Sequence, residues 1–207
     1  MKIKLKKLWS LTIALILLLG IFLPLAAQAA GGTLPTEDIG GETWYVIEDA
    51  ADLAAVMDPA NAGTYWGTRL KISDIVYGID ATGITAEPIG SSTTPFTGSF
   101  NGNGKTITIN GIDWLGKDFG GLFGLISGGS VQDVNLTITG SISGRSRVGG
   151  LAGSIENGTI LTNCQVSGTV SASSSYCGGI VGYVNGGSII GCGSSGTVTG
   201  KTYTGGI

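Results

Sequence analysis

The chain has 207 residues, of which only 12% are charged, with 14 acidic residues against 11 basic ones and no histidine. Without histidine there is no Ser–His or Cys–His catalysis, and the usual zinc-peptidase ligands are missing. Four of the basic residues are lysines in the first seven positions. The remainder carries seven basic against 14 acidic residues, a net charge of −7, which argues against nucleic acid and anionic membrane surfaces as partners.

Residues 1–29 read as a secretory signal peptide. Lys2, Lys4, Lys6 and Lys7 form the basic start, Leu8 to Leu25 the apolar stretch, and Ala27-Gln28-Ala29 an A-x-A cleavage site. An uncleaved anchor is the alternative, because the apolar run is long. Pro24 and the small residues after it favour cleavage. Secretion or display at a cell surface is the localisation this implies, with no membrane contact beyond the leader.

Residues 30–43 read as a flexible lead-in containing Gly31-Gly32, Pro35 and Gly40-Gly41. Residues 44–67 read as an N-terminal cap. Trp44 to Ile47 is strand-like, and Asp49 stands where it caps a helix over Ala50 to Met57. Leu53, Val56 and Met57 lie on one side of that helix, and Pro59 comes soon after its end. Residues 68–118 are less regular. Leu70, Ile72, Ile75 and Val76 alternate loosely, and Ile89, Phe96 and Phe100 are larger core fillers. Lys105 to Ile109 is a cleanly alternating strand after the turn Asn101-Gly102-Asn103-Gly104. Trp114 and Phe119 are expected to lid the junction with the regular coils.

From 119 to 207 the chain repeats. Gly120-Gly121-Leu122-Phe123-Gly124 returns as Gly149-Gly150-Leu151-Ala152-Gly153 and as Gly178-Gly179-Ile180-Val181-Gly182, and starts again at Gly205-Gly206-Ile207. The apolar residues are spaced 29, 29 and 27 positions apart. A second phrase comes after each one (Gly129-Ser130-Val131, Gly158-Thr159-Ile160, Gly187-Ser188-Ile189), then a third beginning at Leu136, Cys164 and Cys192. Apolar and polar residues alternate with period two, the pattern of a strand with one buried face. Three short strands per period, with Gly, Asn and Ser at the turns, describe one coil of a parallel β-helix. The fold expected is all-β: a β-solenoid of about 28-residue coils. One coil cannot bury its inward face alone, so stacking is required, and the helix near Ala50 closes the first open end. The double glycines suit corners with positive φ or places where backbones pack closely.

These phrases resemble the GLUG motif, named for its Gly-Leu-any-Gly core, found in repeat arrays of bacterial surface proteins. Gly121, Leu122 and Gly124 match its core, as do Gly150, Leu151 and Gly153, and Gly179, Ile180 and Gly182. Asn163-Cys164 matches its downstream pair, Asn135-Leu136 does so with a one-residue length change, and Gly191-Cys192 departs from it at the Asn. Pro95 to Gly104 resembles the lead-in that precedes such arrays. The resemblance covers roughly 68–207. It implies an adhesin-like surface protein, or a repeat region beside an IgA-peptidase-type zinc peptidase domain. The partner class it implies is a glycan or matrix protein of a host or neighbouring cell, with no cofactor.

Cys164 and Cys192 fall in equivalent slots one coil apart and are expected to stack inward; both a disulfide and a pair of buried thiols are open. Cys177 also reads as core. Asp113, Lys117, Asp118, Asp133, Arg145, Arg147 and Glu156 do not recur in register, so a solvated surface is favoured over the catalytic strip of a polysaccharide-cleaving β-helix. Ser141/Ser143, Thr169/Ser171 and Thr197/Thr199 recur facing outward. Such a ladder is read first as β-propensity and hydroxyl pairing, and only second as an ice-binding face. The final coil breaks off after Gly206-Ile207, which reads as a truncated frame. The function expected is a non-catalytic stalk or adhesive repeat region; a carbohydrate-active β-helix enzyme and a peptidase spacer are the alternatives.

Overall fold

The computed structural model describes residues 33–85 and 87–207; the signal peptide expected over 1–29 lies outside the described residues. Strand β1 (Thr36–Ile39) pairs antiparallel with β2 (Glu42–Ile47), Thr36 opposite Tyr45. This corrects the flexible lead-in expected over 30–43. Gly40 and Gly41 have φ of 64° and 82°, so a two-residue turn with both positions left-handed closes a hairpin. The Asp38 carboxylate accepts from the Gly41 amide at 2.9 Å. Leu34, just before the hairpin, is buried.

The cap forms as its sequence dictates. Helix α1 (Ala50–Met57) starts where Asp49 Oδ1 accepts from the amides of Ala51 (2.8 Å) and Asp52 (3.0 Å), satisfying donors that have no intrahelical partner. Asp52 reaches back to the Glu48 amide at 2.9 Å. A 3₁₀ turn at Pro59–Asn61 and a one-turn helix α2 (Ala62–Tyr65) come next. Leu53, Val56, Met57, Tyr65 and Trp66 join one buried cluster with Leu70, Ile79 and Ala81. Trp66 Nε1 donates to the Val56 carbonyl at 2.8 Å, which gives its buried N–H a partner.

The rest winds into a β-solenoid of about six turns. One sheet runs through β2, β3 (Arg69–Ile72), β5 (Ser99–Asn101), β9 (Ser130–Gln132), β11 (Ala152–Thr162) and β14 (Val181–Ile190), with β8 (Phe123–Ser127) also on β11. The other contains β4 (Gly78–Ala81), β6 (Thr106–Ile109), β7 (Ile112–Gly120), β10 (Asn135–Gly149), β12 (Gln165–Ala172), β13 (Ser175–Gly178), β15 (Gly193–Thr199) and β16 (Thr202–Gly205). Every pairing after the hairpin is parallel. The separate short strands expected within one coil run on: β11 carries two phrases through the corner at Asn157-Gly158, where its register with β14 shifts.

Parallel register puts equivalent apolar residues in files. One file is Leu70, Phe100, Val131, Leu161 and Ile189, with steps of 30, 31, 30 and 28 residues. The early coils are thus slightly longer than the expected period. Leu122, Leu151 and Ile180 are each fully buried, linked by Leu122 N–H to Gly150 C=O (3.2 Å) and Leu151 N–H to Ile180 C=O (3.0 Å). Losing a neighbour at the end of a file exposes the residue there in one case. Ile126 and Ile155 are 0% exposed, while Val184, next in their file, is 47% exposed. Phe123 packs against Phe96 and Phe100 at centroid distances of 5.1 and 5.4 Å. Ile75, read in sequence as part of an alternating run, is 82% exposed. It projects from a loop whose Asp74 instead takes the Lys71 ammonium at 2.9 Å.

Two corners explain the repeat's punctuation. Phe119, Arg147, Tyr176 and Tyr203 hold φ of 66°, 54°, 61° and 53° in successive coils. None of the motif glycines has positive φ; the left-handed residue stands one place before Gly120 and two places before Gly149, Gly178 and Gly205. The glycines are there for space: a Cβ on Gly150 would lie 2.5 Å from both Gly179 O and Val166 Cγ1. The other corner is Asp133, Asn163 and Gly191, at φ of 53°, 52° and 64°. Asn, Asp and Gly are the residues that tolerate this region, so the departure at Gly191 keeps the corner. Asp133-Val134, not Asn135-Leu136, is the equivalent of Asn163-Cys164, because Asn135 pairs with Gln165. The one-residue length change read from sequence is therefore a different alignment.

Candidate functional site

The files built by the GLUG-like phrases are wholly internal. A Cβ on Gly153, Gly179 or Gly182 would collide with an adjoining coil, one on Gly124 with the Gly90 carbonyl in the loop between β4 and β5, and one on Gly121 with the Phe123 carbonyl two residues along. Leu122, Leu151 and Ile180 beside them are fully buried. Cys164 is fully buried, in the slot that Val134 fills one coil earlier, and its amide lies 3.3 Å from Cys192 Sγ. Cys164, Cys177 and Cys192 are all free thiols. Burial pushes the Cys164 thiol up to about 12 and also raises that of Cys177.

Charged side chains do come together at one place, a cleft of about 440 Å³. The cap forms one wall through Pro59, Ala62 and Trp66. The loop Glu87–Thr94 forms a second, and the end of β7, Trp114 to Phe119, the third. Each wall is fastened. The loop is tied at both ends to β8 and the residue before it: Ile89 N–H donates to Leu122 C=O (2.9 Å), and Phe96 N–H to Leu125 C=O (2.9 Å). Its tip closes on Ser91, whose amide donates to Thr94 C=O at 2.8 Å.

The β7 wall is held by the next coil. Arg145 grips Asp118 with two bonds, Nε to Oδ1 at 2.8 Å and Nη2 to Oδ2 at 2.7 Å. This bidentate contact holds the Asp118 carboxyl below the usual carboxylate range. The Arg147 guanidinium lies between two rings, 4.9 Å from the centroid of Phe119 and 5.0 Å from that of Tyr183. Tyr176 stacks on Tyr203 at 5.0 Å, 9° from parallel, and meets Tyr183 edge-on at 5.0 Å. Tyr176 is covered by Tyr203, which itself stays exposed. Trp114 Nε1 donates to Asp118 C=O at 3.0 Å, and Lys117 Nζ stands 4.0 Å from its ring centroid.

Arg145 and Arg147, read in sequence as solvated surface, lie in β10, where Arg145 is exposed as expected and both also brace the cleft. Lys117 and Asp118 share it. Asp113, Asp133 and Glu156 lie elsewhere: Asp113 accepts from Ser143 Oγ at 3.2 Å and Asp133 from Asn163 Nδ2 at 3.3 Å. Glu87 and Trp66 were not singled out in sequence; they stand outside the repeats, and no spacing signals a partner one or two coils away. The outward hydroxyls do stack, Ser141 on Thr169 on Thr197 and Ser143 on Ser171 on Thr199.

Residues 144–171 match the family model of the GLUG motif. That stretch is a GLUG repeat. It contains both arginines that hold the cleft wall, together with the glycines and Leu151 of the internal files. The chain is 31% identical over 153 residues to halomucin of Haloquadratum walsbyi, a match that covers 58% of this chain and 2% of halomucin. It is also similar to a solved structure from Bacteroides ovatus, a candidate immunoglobulin A1 protease. That likeness has a TM-score of 0.50 at 19% identity and covers 76% of this chain and 58% of the other. The chain therefore spans a fiftieth of the length of halomucin and little over half of the solved chain. At this identity the solved structure speaks for the solenoid fold alone.

Proposed function

We propose that this chain is an exported repeat region that works at a cell surface as a stalk and adhesive face, with no catalysis of its own. The observation that carries it is the GLUG repeat at 144–171 forming an in-register part of the stacked coils. The signal-peptide pattern of residues 1–29 supports export, and the likeness to halomucin supports a surface or secreted setting. The domain division proposed keeps a cap up to residue 67, irregular coils to 118 and GLUG-type coils to 207.

A second reading has one observation in its favour. Glu87, Lys117 and Asp118 share a cleft, as the acid and base of a carbohydrate-cleaving β-helix would. Against it, both Asp118 oxygens are occupied by Arg145 and its carboxyl is held below the usual range, which leaves Glu87 as a single carboxyl where the chemistry needs two. The test displays the full chain on a bacterial host and measures adhesion to immobilised glycans and matrix proteins, with release of reducing ends assayed in parallel. Retention on one panel without cleavage is expected. Silence on both panels overturns the adhesive role in favour of a spacer, and released sugar overturns the non-catalytic reading.

A further inference from the structure

We infer that the cleft between the cap, the loop Glu87–Thr94 and the end of β7 binds a neutral pyranose at the end of a glycan; this rests on the adhesive reading and names its site. A sugar ring has an apolar C–H face and a rim of hydroxyls. It needs a flat apolar wall, convergent acceptors and donors, and little net charge. The cleft supplies these together. Trp114 is half-buried, its indole is fixed by the bond to the Asp118 carbonyl, and Lys117 Nζ covers one ring face at 4.0 Å, so the sugar is assigned to the other face and the ring edge. Across from it, the loop turn bears the hydroxyls of Ser91, Ser92, Thr93 and Thr94. Within that turn Ser91 Oγ and Thr93 Oγ1 lie 3.1 Å apart.

Charge decides the class of ligand. Arg145 neutralises Asp118. Lys117 and Glu87 both line the cleft without pairing, Lys117 Nζ lying over the Trp114 ring and Glu87 having no ion-pair partner among the described residues. The two opposite charges leave the cleft close to neutral, which fits hydroxyl ligands and gives a phosphate or a polyacid no net attraction. A volume of about 440 Å³ lies in the range of small-molecule sites and admits a terminal sugar rather than a folded partner. The walls are fastened to β8 by Ile89 and Phe96 and to the GLUG repeat by Arg145 and Arg147. Little ordering therefore remains to oppose binding. In the aromatic ladder beyond Phe119, Tyr176 is stacked on Tyr203 and Tyr183 is met by Arg147, and exposed Tyr203 lies outside the cleft.

The experiment titrates the full chain with glucose, galactose, mannose, N-acetylglucosamine and lactose. It monitors tryptophan fluorescence and saturation-transfer NMR, beside the glycan and matrix panels. At least one sugar is expected to shift the fluorescence. Trp114→Ala should weaken that binding at least about tenfold, and exposed Glu87→Gln, which leaves the core untouched, about three- to tenfold. Thr197→Ala, on the outward hydroxyl ladder, should bind as the parent does. If glycans bind and both cleft variants bind as well as the parent, or if only matrix proteins bind, the cleft assignment fails and the adhesive reading stands. Silence on every probe ends both.

Discussion

Arg147 sits directly over Phe119, its guanidinium 4.9 Å from the ring centroid, and both residues hold left-handed backbone at the same corner of adjacent coils. Two effects oppose each other at this position. The left-handed region costs a non-glycine residue about 1 kcal/mol, while each exposed cation–π contact returns about 0.5–1 kcal/mol. Arg147→Ala keeps the strain and loses both contacts, so a loss of about 1–2 kcal/mol is expected in urea unfolding. Arg147→Gly also relieves the strain and should fall between the parent and the alanine variant. A glycine variant less stable than the alanine one would refute the strained-corner account.

Gly150→Ala tests the claim that motif glycines exist for space. Its Cβ would meet Gly179 O and Val166 Cγ1 at 2.5 Å, so neighbouring coils must move apart. A loss of about 3 kcal/mol or more is expected. Gly158→Ala provides the contrast: its φ is 78°, yet nothing lies within 4 Å of the added Cβ. About 1 kcal/mol is expected there, from conformation alone. Equal losses in chemical denaturation would remove the distinction.

Ser154 Oγ is buried without a hydrogen-bond partner among the described residues. An unpaired buried hydroxyl destabilises the folded state by about 1–3 kcal/mol. Ser154→Ala is therefore expected to raise the melting temperature, an uncommon direction for a core substitution. A fall would mean that the hydroxyl has a partner after all.

The cysteines give a prediction in pH. The folded Cys164 thiol is raised to about 12 from an ordinary value of 9.0 by burial, so the fold binds a proton that the unfolded chain releases. That stabilisation is complete below about pH 9 and is lost as pH rises from there toward 12. Cys164→Ala should flatten the alkaline part of the stability curve. At neutral pH, iodoacetamide treatment and then mass spectrometry should show half-exposed Cys192 labelled well before Cys164 or Cys177. Early labelling of Cys164 would contradict its burial.

The solenoid was legible because a coil is a local object. The spacing of Leu122, Leu151 and Ile180 states the period, period-two alternation states which side faces inward, and Asp49 with Pro59 marks the cap. These features arise from chain geometry and need no distant partner. The hairpin at Gly40-Gly41 was missed because loose glycines and a tight two-residue turn look alike until a second strand is seen. Tertiary structure alone decided three things. It showed that the motif glycines answer to crowding, since the atoms that crowd them are brought close by the tight corner itself and by neighbouring coils. It placed the left-handed corner on Phe119, Arg147, Tyr176 and Tyr203, residue types that do not advertise positive φ. And it gathered Glu87, Trp114, Lys117 and Asp118 into one cleft, because winding converts a separation along the chain into adjacency between coils, and that conversion leaves no periodic mark on residues outside the repeat.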